Sequence, residues 1–110
     1  MEIKELELHA NHIRKNILTE VHSANSGHPG GSLSGADILT EIYFEQMDIN
    51  KDNVDSIDRD RFVLSKGHAS PLLYGTLKEK GLLDDDLATF RKINSNLQGH
   101  PNMNEVAGVD

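Results

Sequence analysis

The chain has 110 residues, room for one small domain or for part of a larger one. Its 18 acidic and 11 basic residues leave a net charge of −7, which argues against general nucleic-acid binding, since that needs clustered Lys and Arg. With no cysteine there is no disulfide framework and no thiolate metal site, and no apolar run approaches the roughly 20 residues of a membrane span.

Met1-Glu2-Ile3-Lys4-Glu5 is charged where a secretory signal would have an apolar core, so a soluble, cytoplasmic protein with no membrane partner is expected. Ile3, Leu6, Ala10, Ile13, Ile17, Val21 and Ala24 recur at spacings of three and four and predict a helix over residues 2–24. Ser26-Gly27-His28-Pro29-Gly30-Gly31 reads as a loop, because three glycines and a proline in six residues do not continue a helix. Ser34-Gly35-Ala36-Asp37 has capping-box spacing and predicts a second helix with Ile38, Leu39, Ile42 and Tyr43 on its apolar face.

Residues 48–60 are polar and acidic and read as a surface connection. Arg61-Phe62-Val63-Leu64-Ser65 is short, apolar and partly β-branched, and predicts a buried strand. Ser70-Pro71 pairs an N-cap residue with proline at the first helical position, for a helix carrying Leu72, Leu73, Tyr74 and Leu77 to a stop at Gly81. Asp84 is expected to cap a short helix through Leu87, Phe90 and Ile93, and residues 94–110 read as loop. One strand cannot form a sheet by itself, so this order predicts a piece of a larger α/β domain. A complete, mostly helical domain is the plainer alternative.

Three of the six histidines sit beside glycine outside the helices, as Gly27-His28-Pro29, Gly67-His68-Ala69 and Gly99-His100-Pro101. Glycine leaves room for a ligand to approach the backbone, and imidazole exchanges protons near neutral pH. Strand ends and loops are where α/β proteins place their sites. These residues by themselves leave the function open.

Ser26-Gly27-His28-Pro29-Gly30 resembles the first histidine loop of transketolases. The stretch from Asp58-Arg59-Asp60-Arg61 through Lys66-Gly67-His68-Ala69-Ser70 resembles the first strand and second histidine of that family, and Gly99-His100-Pro101 with Ala107-Gly108-Val109 resembles the third. Deoxyxylulose phosphate synthase shares the layout but normally differs where Pro29 stands, so Pro29-Gly30 favours transketolase. Dihydroxyacetone synthase is a nearer relative.

The resemblance implies the N-terminal portion of a thiamine diphosphate-binding α/β fold, mostly helical, with one parallel-sheet strand at about 61–65. Residues 1–110 would be a partial domain, incomplete at its C-terminal end. The implied activity is transfer of a two-carbon ketol unit between sugar phosphates of the pentose phosphate type. His68 would lie against the diphosphate of the cofactor. His28 and His100 would face the sugar, and His28 is also a candidate for proton transfer. The glycine-rich metal-binding motif of the family is absent, so ligands for Mg²⁺ or Ca²⁺ are expected outside this chain and no metal ligand is assigned within it. A C-terminal transketolase portion or subunit is the implied partner, in a homo-oligomer, and these residues alone are expected to be inactive. A truncated helical module without activity is the competing class.

The remaining motifs read plainly. His9 and His12 lie three apart on the first helix, with no third metal ligand evident, and read with His22 as surface residues. A zinc site made of His28, His68 and His100 fits less well than the sugar-site pattern. Asp84-Asp85-Asp86 reads as a helix N-terminus, where carboxylates suit the dipole.

Overall fold

The apolar stripe near the N-terminus forms the first and longest helix, α1 (Ile3–Ala24). The computed structural model describes all of residues 1–110. Ala10, Ile13 and Ile17 are fully inside, while Ile3 at the start of the stripe is 73% exposed. The helix stops where Asn25 turns left-handed, at φ 50°, and the Ser26 N–H donates back to the Val21 carbonyl at 3.3 Å.

The glycine loop is shorter than its composition suggests. It ends at His28, and Pro29 opens α2 (Pro29–Ser34), since proline's fixed φ suits the first turn and its missing N–H is not needed there. Ser34 therefore ends a helix instead of capping one, and its hydroxyl donates to the Gly31 carbonyl at 3.0 Å. The next helix, α3 (Ala36–Glu41), starts behind Gly35 without a side-chain cap and runs into a π-turn over Ile42–Gln46. Leu39 and Tyr43 face the core as expected, but Ile38 faces outward.

The predicted strand at 61–65 does not form, and the chain contains no β-sheet. A strand needs a neighbouring backbone to pair with, and none lies beside this segment. It is an extended run instead. Phe62 and Leu64 lean on the core, Val63 is 72% exposed, and the Phe62 N–H donates to an oxygen of Asp110 at 3.0 Å.

A 3₁₀ turn, Gly67–Ala69, leads into α4 (Ser70–Lys80), which stops at left-handed Gly81. Every residue from Ser70 to Leu77 is buried, so α4 is the central helix and has no polar face over that stretch. Burying Leu72, Leu73 and Leu77 contributes about 1.5–3 kcal/mol each. Ser70 does not cap the helix, because its hydroxyl is used elsewhere. The last short helix is only a 3₁₀ turn, Leu87–Thr89, capped by Asp86 rather than Asp84, and Ile93 is 92% exposed. Residues 94–110 are loop, pinned by buried Leu97, Val106 and Val109. No helix is long and apolar enough to cross a membrane.

The helices close on one core without a sheet. The radius of gyration is 12.9 Å, close to the roughly 13 Å of a compact chain of about 100 residues. At the centre α1 crosses α4 over Gly75. A Cβ there would stand 3.2 Å from the Asn16 Cβ and 3.4 Å from the Ile13 carbonyl, so only glycine admits this approach without a shift. Asn16 donates to the Gly75 carbonyl at 3.0 Å, while His9 and His12 meet Glu79, so the two helices run antiparallel. Glu79 thus supplies the third potential ligand that the spacing of His9 and His12 did not reveal.

Glu20 lies in the same seam, 0% exposed, with neither carboxyl oxygen hydrogen-bonded. Burial pushes its carboxyl up to about 10. The native state therefore keeps a proton that the unfolded chain releases above the ordinary carboxylate range, and stability falls as pH rises towards that value. Glu20→Gln removes this penalty. In urea unfolding it should stabilise the chain by about 1–3 kcal/mol at pH 8 and by much less at pH 5. An equal gain at both pH values would mean that Glu20 is already ionised in the folded chain.

Candidate functional site

Three loops carry the glycine-flanked histidines, and the fold brings them together. His28 precedes α2, His68 sits in the turn before α4, and His100 lies in the C-terminal loop. The rings of His28 and His68 meet edge to face, with centroids 5.4 Å apart. A Cβ on Gly31 would lie 3.7 Å from His68 Nε2, and one on Gly67 would lie 2.7 Å from His100 Nδ1. At Gly67 the missing side chain makes room for another loop's imidazole, whereas the distance at Gly31 is ordinary van der Waals contact.

Each loop is tied to its neighbours by ordinary hydrogen bonds. Lys66 reaches the Gly31 carbonyl at 3.3 Å, joining the segment before His68 to α2, the helix that His28 precedes. The C-terminal loop is held from α4. Ser70 donates to the Gly99 carbonyl and the Tyr74 hydroxyl donates to the Gln98 carbonyl, both at 2.9 Å. Burial pushes the Tyr74 hydroxyl up from its ordinary value, so it remains a donor across the working pH range. The Arg91 N–H closes the loop on the Leu97 carbonyl at 2.7 Å, with Leu97 buried beneath.

The three imidazoles open on a cavity of about 450 Å³, lined also by Gly27, Phe90, Arg91, Gln98 and Gly99. That volume lies in the range of small-molecule sites. Arg91 holds a positive φ of 64° and is one of three non-glycine residues to do so. No carboxylate lines the cavity, although the chain carries a net charge of −7. N–H donors and a guanidinium without a competing acid suit phosphate and hydroxyl oxygens.

Sequence reasoning found the histidines but missed Arg91, Gln98 and Ser70 as parts of the site. Arg91 carries no local signal in the sequence, and it joins the lining through its left-handed backbone after the Leu87–Thr89 turn, with its side chain beside Gly99. Ser70 looked like a helix cap, a role its hydroxyl does not take.

Residues 6–110 match the sequence family described as the transketolase, thiamine diphosphate binding domain. The chain belongs to the transketolase family. An apulose-4-phosphate transketolase subunit of Phocaeicola vulgatus is 40% identical over 111 residues, spanning 100% of this chain and 39% of that protein. Transketolase 2 of Vibrio parahaemolyticus is 42% identical, spanning 92% of this chain and 16% of that protein. Solved transketolases from Leishmania mexicana and Campylobacter jejuni both superpose with a TM-score of 0.85. They are 38% and 40% identical, and cover 94% and 99% of this chain, which spans 16% and 17% of theirs.

The donor set of this cavity suits the anionic end of thiamine diphosphate, because the lining carries imidazoles and the Arg91 guanidinium with no competing carboxylate, and Phe90 is its one apolar side chain. The residues do not fit Mg²⁺ or Ca²⁺, since a hard cation needs several oxygen ligands and the lining supplies no carboxylate.

The contact between Gly67 and His100 is open to a direct test. Gly67→Ala keeps a backbone conformation open to alanine but places a methyl against the ring. In nitrogen-edited NMR of the imidazoles, His100 should shift strongly while the His28 signals stay close to wild type. An unmoved His100 would show that the loop has space the structure does not contain.

Proposed function

We propose that this chain supplies the histidine wall of a thiamine diphosphate-dependent ketol transfer between sugar phosphates. The convergence of His28, His68, His100 and Arg91 on one carboxylate-free cavity, in a chain of this family, carries the reading. His68, inside the turn leading to α4, binds the diphosphate. His28 and His100 face the sugar and contact its hydroxyls near the reacting carbon.

The chemistry that thiamine diphosphate supplies when bound is a nucleophilic carbon able to accept and release a two-carbon unit. The chain's own residues orient the substrate and manage its protons. An imidazole N–H would donate to the ketose carbonyl oxygen as that oxygen takes up negative charge, and a neutral ring nitrogen would accept the proton of the neighbouring hydroxyl as the carbon–carbon bond breaks and its carbon becomes an aldehyde. His28 is assigned that exchange, and its ring contact with His68 beside the same cavity supports the assignment. Arg91, the one permanent cation of the lining, offers a fixed charge to a phosphate group.

Residues 1–110 form part of the cofactor-binding domain, and the remainder comes from further residues or from a partner subunit. The chain spans 39% of a relative that is itself named a subunit, which supports the partner form. That remainder also holds the oxygen ligands for Mg²⁺ or Ca²⁺. The assembly is read as a cytoplasmic homo-oligomer acting on pentose-phosphate-type sugars, and the chain alone as inactive.

Histidine substitutions in the assembled enzyme test the reading. His68→Ala should weaken thiamine diphosphate binding by about tenfold or more, equivalent to losing a charge-assisted hydrogen bond of roughly 1.5–3 kcal/mol. His28→Ala and His100→Ala should leave cofactor affinity largely intact and lower kcat/KM by about 10²–10⁴. Full turnover in both of the latter variants would sink the assignment.

A further inference from the structure

We propose that His9, His12 and Glu79 form a divalent transition-metal site of the zinc class, which staples α1 to α4. Both imidazoles present Nδ1 to the same oxygen of Glu79, at 2.7 Å from His9 and 2.9 Å from His12. The three potential ligand atoms lie within 4.8 Å of one another. Two histidines and one glutamate with an open fourth position make a known zinc ligand set. At metal–ligand distances of about 2.0–2.2 Å the donor atoms of a tetrahedral site stand about 3.3–3.6 Å apart, so each histidine has to move off the Glu79 oxygen by roughly half an ångström or a little more.

The surroundings favour a cation over a plain hydrogen-bonded trio. The only basic groups paired with Glu79 are the two histidines, because Lys78 is turned to the carbonyls of Asp84 and Asp85 and Lys80 lies over the Phe44 ring. No lysine or arginine therefore competes with a metal for the Glu79 carboxyl oxygens. The His9 ring is fixed by stacking on Phe44, with centroids 4.1 Å apart and planes 18° from parallel. His12 is the most exposed of the three, so an ion can enter from solvent on its side and keep a water there. On binding, each ring coordinates through Nδ1 and carries its remaining proton on Nε2.

The site stands apart from the histidine cavity. It lies on α1 about 18 Å along the helix axis from Ala24, the last residue before the first histidine loop. Its ligands come from helices α1 and α4, whereas the cavity is lined by loops and turns. An ion here would add one more restraint to the helix pair on which those loops are mounted.

Titration of the chain with Co²⁺, followed by visible absorption and then by displacement with Zn²⁺, tests the site. One equivalent should bind with a four-coordinate nitrogen and oxygen spectrum, and Zn²⁺ should raise the melting temperature until a chelator is added. Glu79→Gln, which keeps an acceptor for the histidines, and His12→Asn, at an exposed position, should each weaken binding about tenfold or more. Circular dichroism checks that both variants keep their helices. The combined His28→Ala, His68→Ala substitution should leave the titration unchanged. No saturable binding below about 1 mM overturns the proposal, because a preformed three-ligand zinc-class site binds far more tightly than that. Binding that survives Glu79→Gln and His12→Asn but is lost with His28 and His68 overturns it equally, by moving the metal to the cavity.

Discussion

The crossing of α1 over α4 is the constraint on which the rest of the chain depends. Gly75 removes the side chain that would hold the two backbones apart, and Asn16 uses the space to bond the Gly75 carbonyl. That approach buries α4 from Ser70 to Leu77, and every other element packs on the pair or is tied to it. α2 and α3 cover one side, the Leu87–Thr89 turn covers another, and the extended run at 61–65 lies along the core edge. The histidine loops emerge at one end of the pair, the first leaving the C-terminus of α1 and the second entering the N-terminus of α4.

Polar groups are handled in two different ways inside this core. Arg59 and Asp110 are 4% and 8% exposed in their side chains and are paired at 2.6 Å. Burial opposes the charge of Asp110, but hydrogen bonds from Arg59, the Phe62 N–H and Arg61 outweigh it and hold the carboxyl below its usual range. Its stabilising effect is therefore present above the ordinary carboxylate range and lost as pH falls through the lowered value. This pair ties the end of the chain to the extended segment, where sheet hydrogen bonds are missing. Glu20 has no such partner and is kept neutral by burial instead, so the two carboxyls respond to pH in opposite directions.

The cavity shows how an acidic chain can offer an anion site. What matters is the local set of donors rather than the net charge of −7. The helix that carries His68 in its approach turn also grips the loop that carries His100, through Ser70 and Tyr74 one turn apart. Disturbing α4 would therefore displace two of the three imidazoles together. Tyr74 does both jobs with one side chain, its ring buried in the core and its hydroxyl holding the loop of His100.

The amino-acid sequence alone determined α1, the stop at Gly81, the burial of Leu72, Leu73, Tyr74 and Leu77, and the family resemblance with its three histidines. These are local signals, because period, left-handed glycine and histidine flanked by glycine each act within a few residues. Tertiary structure decided the rest. Phe62-Val63-Leu64 has strand composition but no neighbouring backbone to pair with, so it stays a single extended run. Ser70 looks like a cap, yet its hydroxyl bonds the Gly99 carbonyl, and that choice depends on where the C-terminal loop lies. Arg91 joins the cavity, and Glu79 joins His9 and His12, only through contacts between segments distant in the chain. Such pairings carry no short-range signature, because what brings the groups together is the packing of α1 on α4.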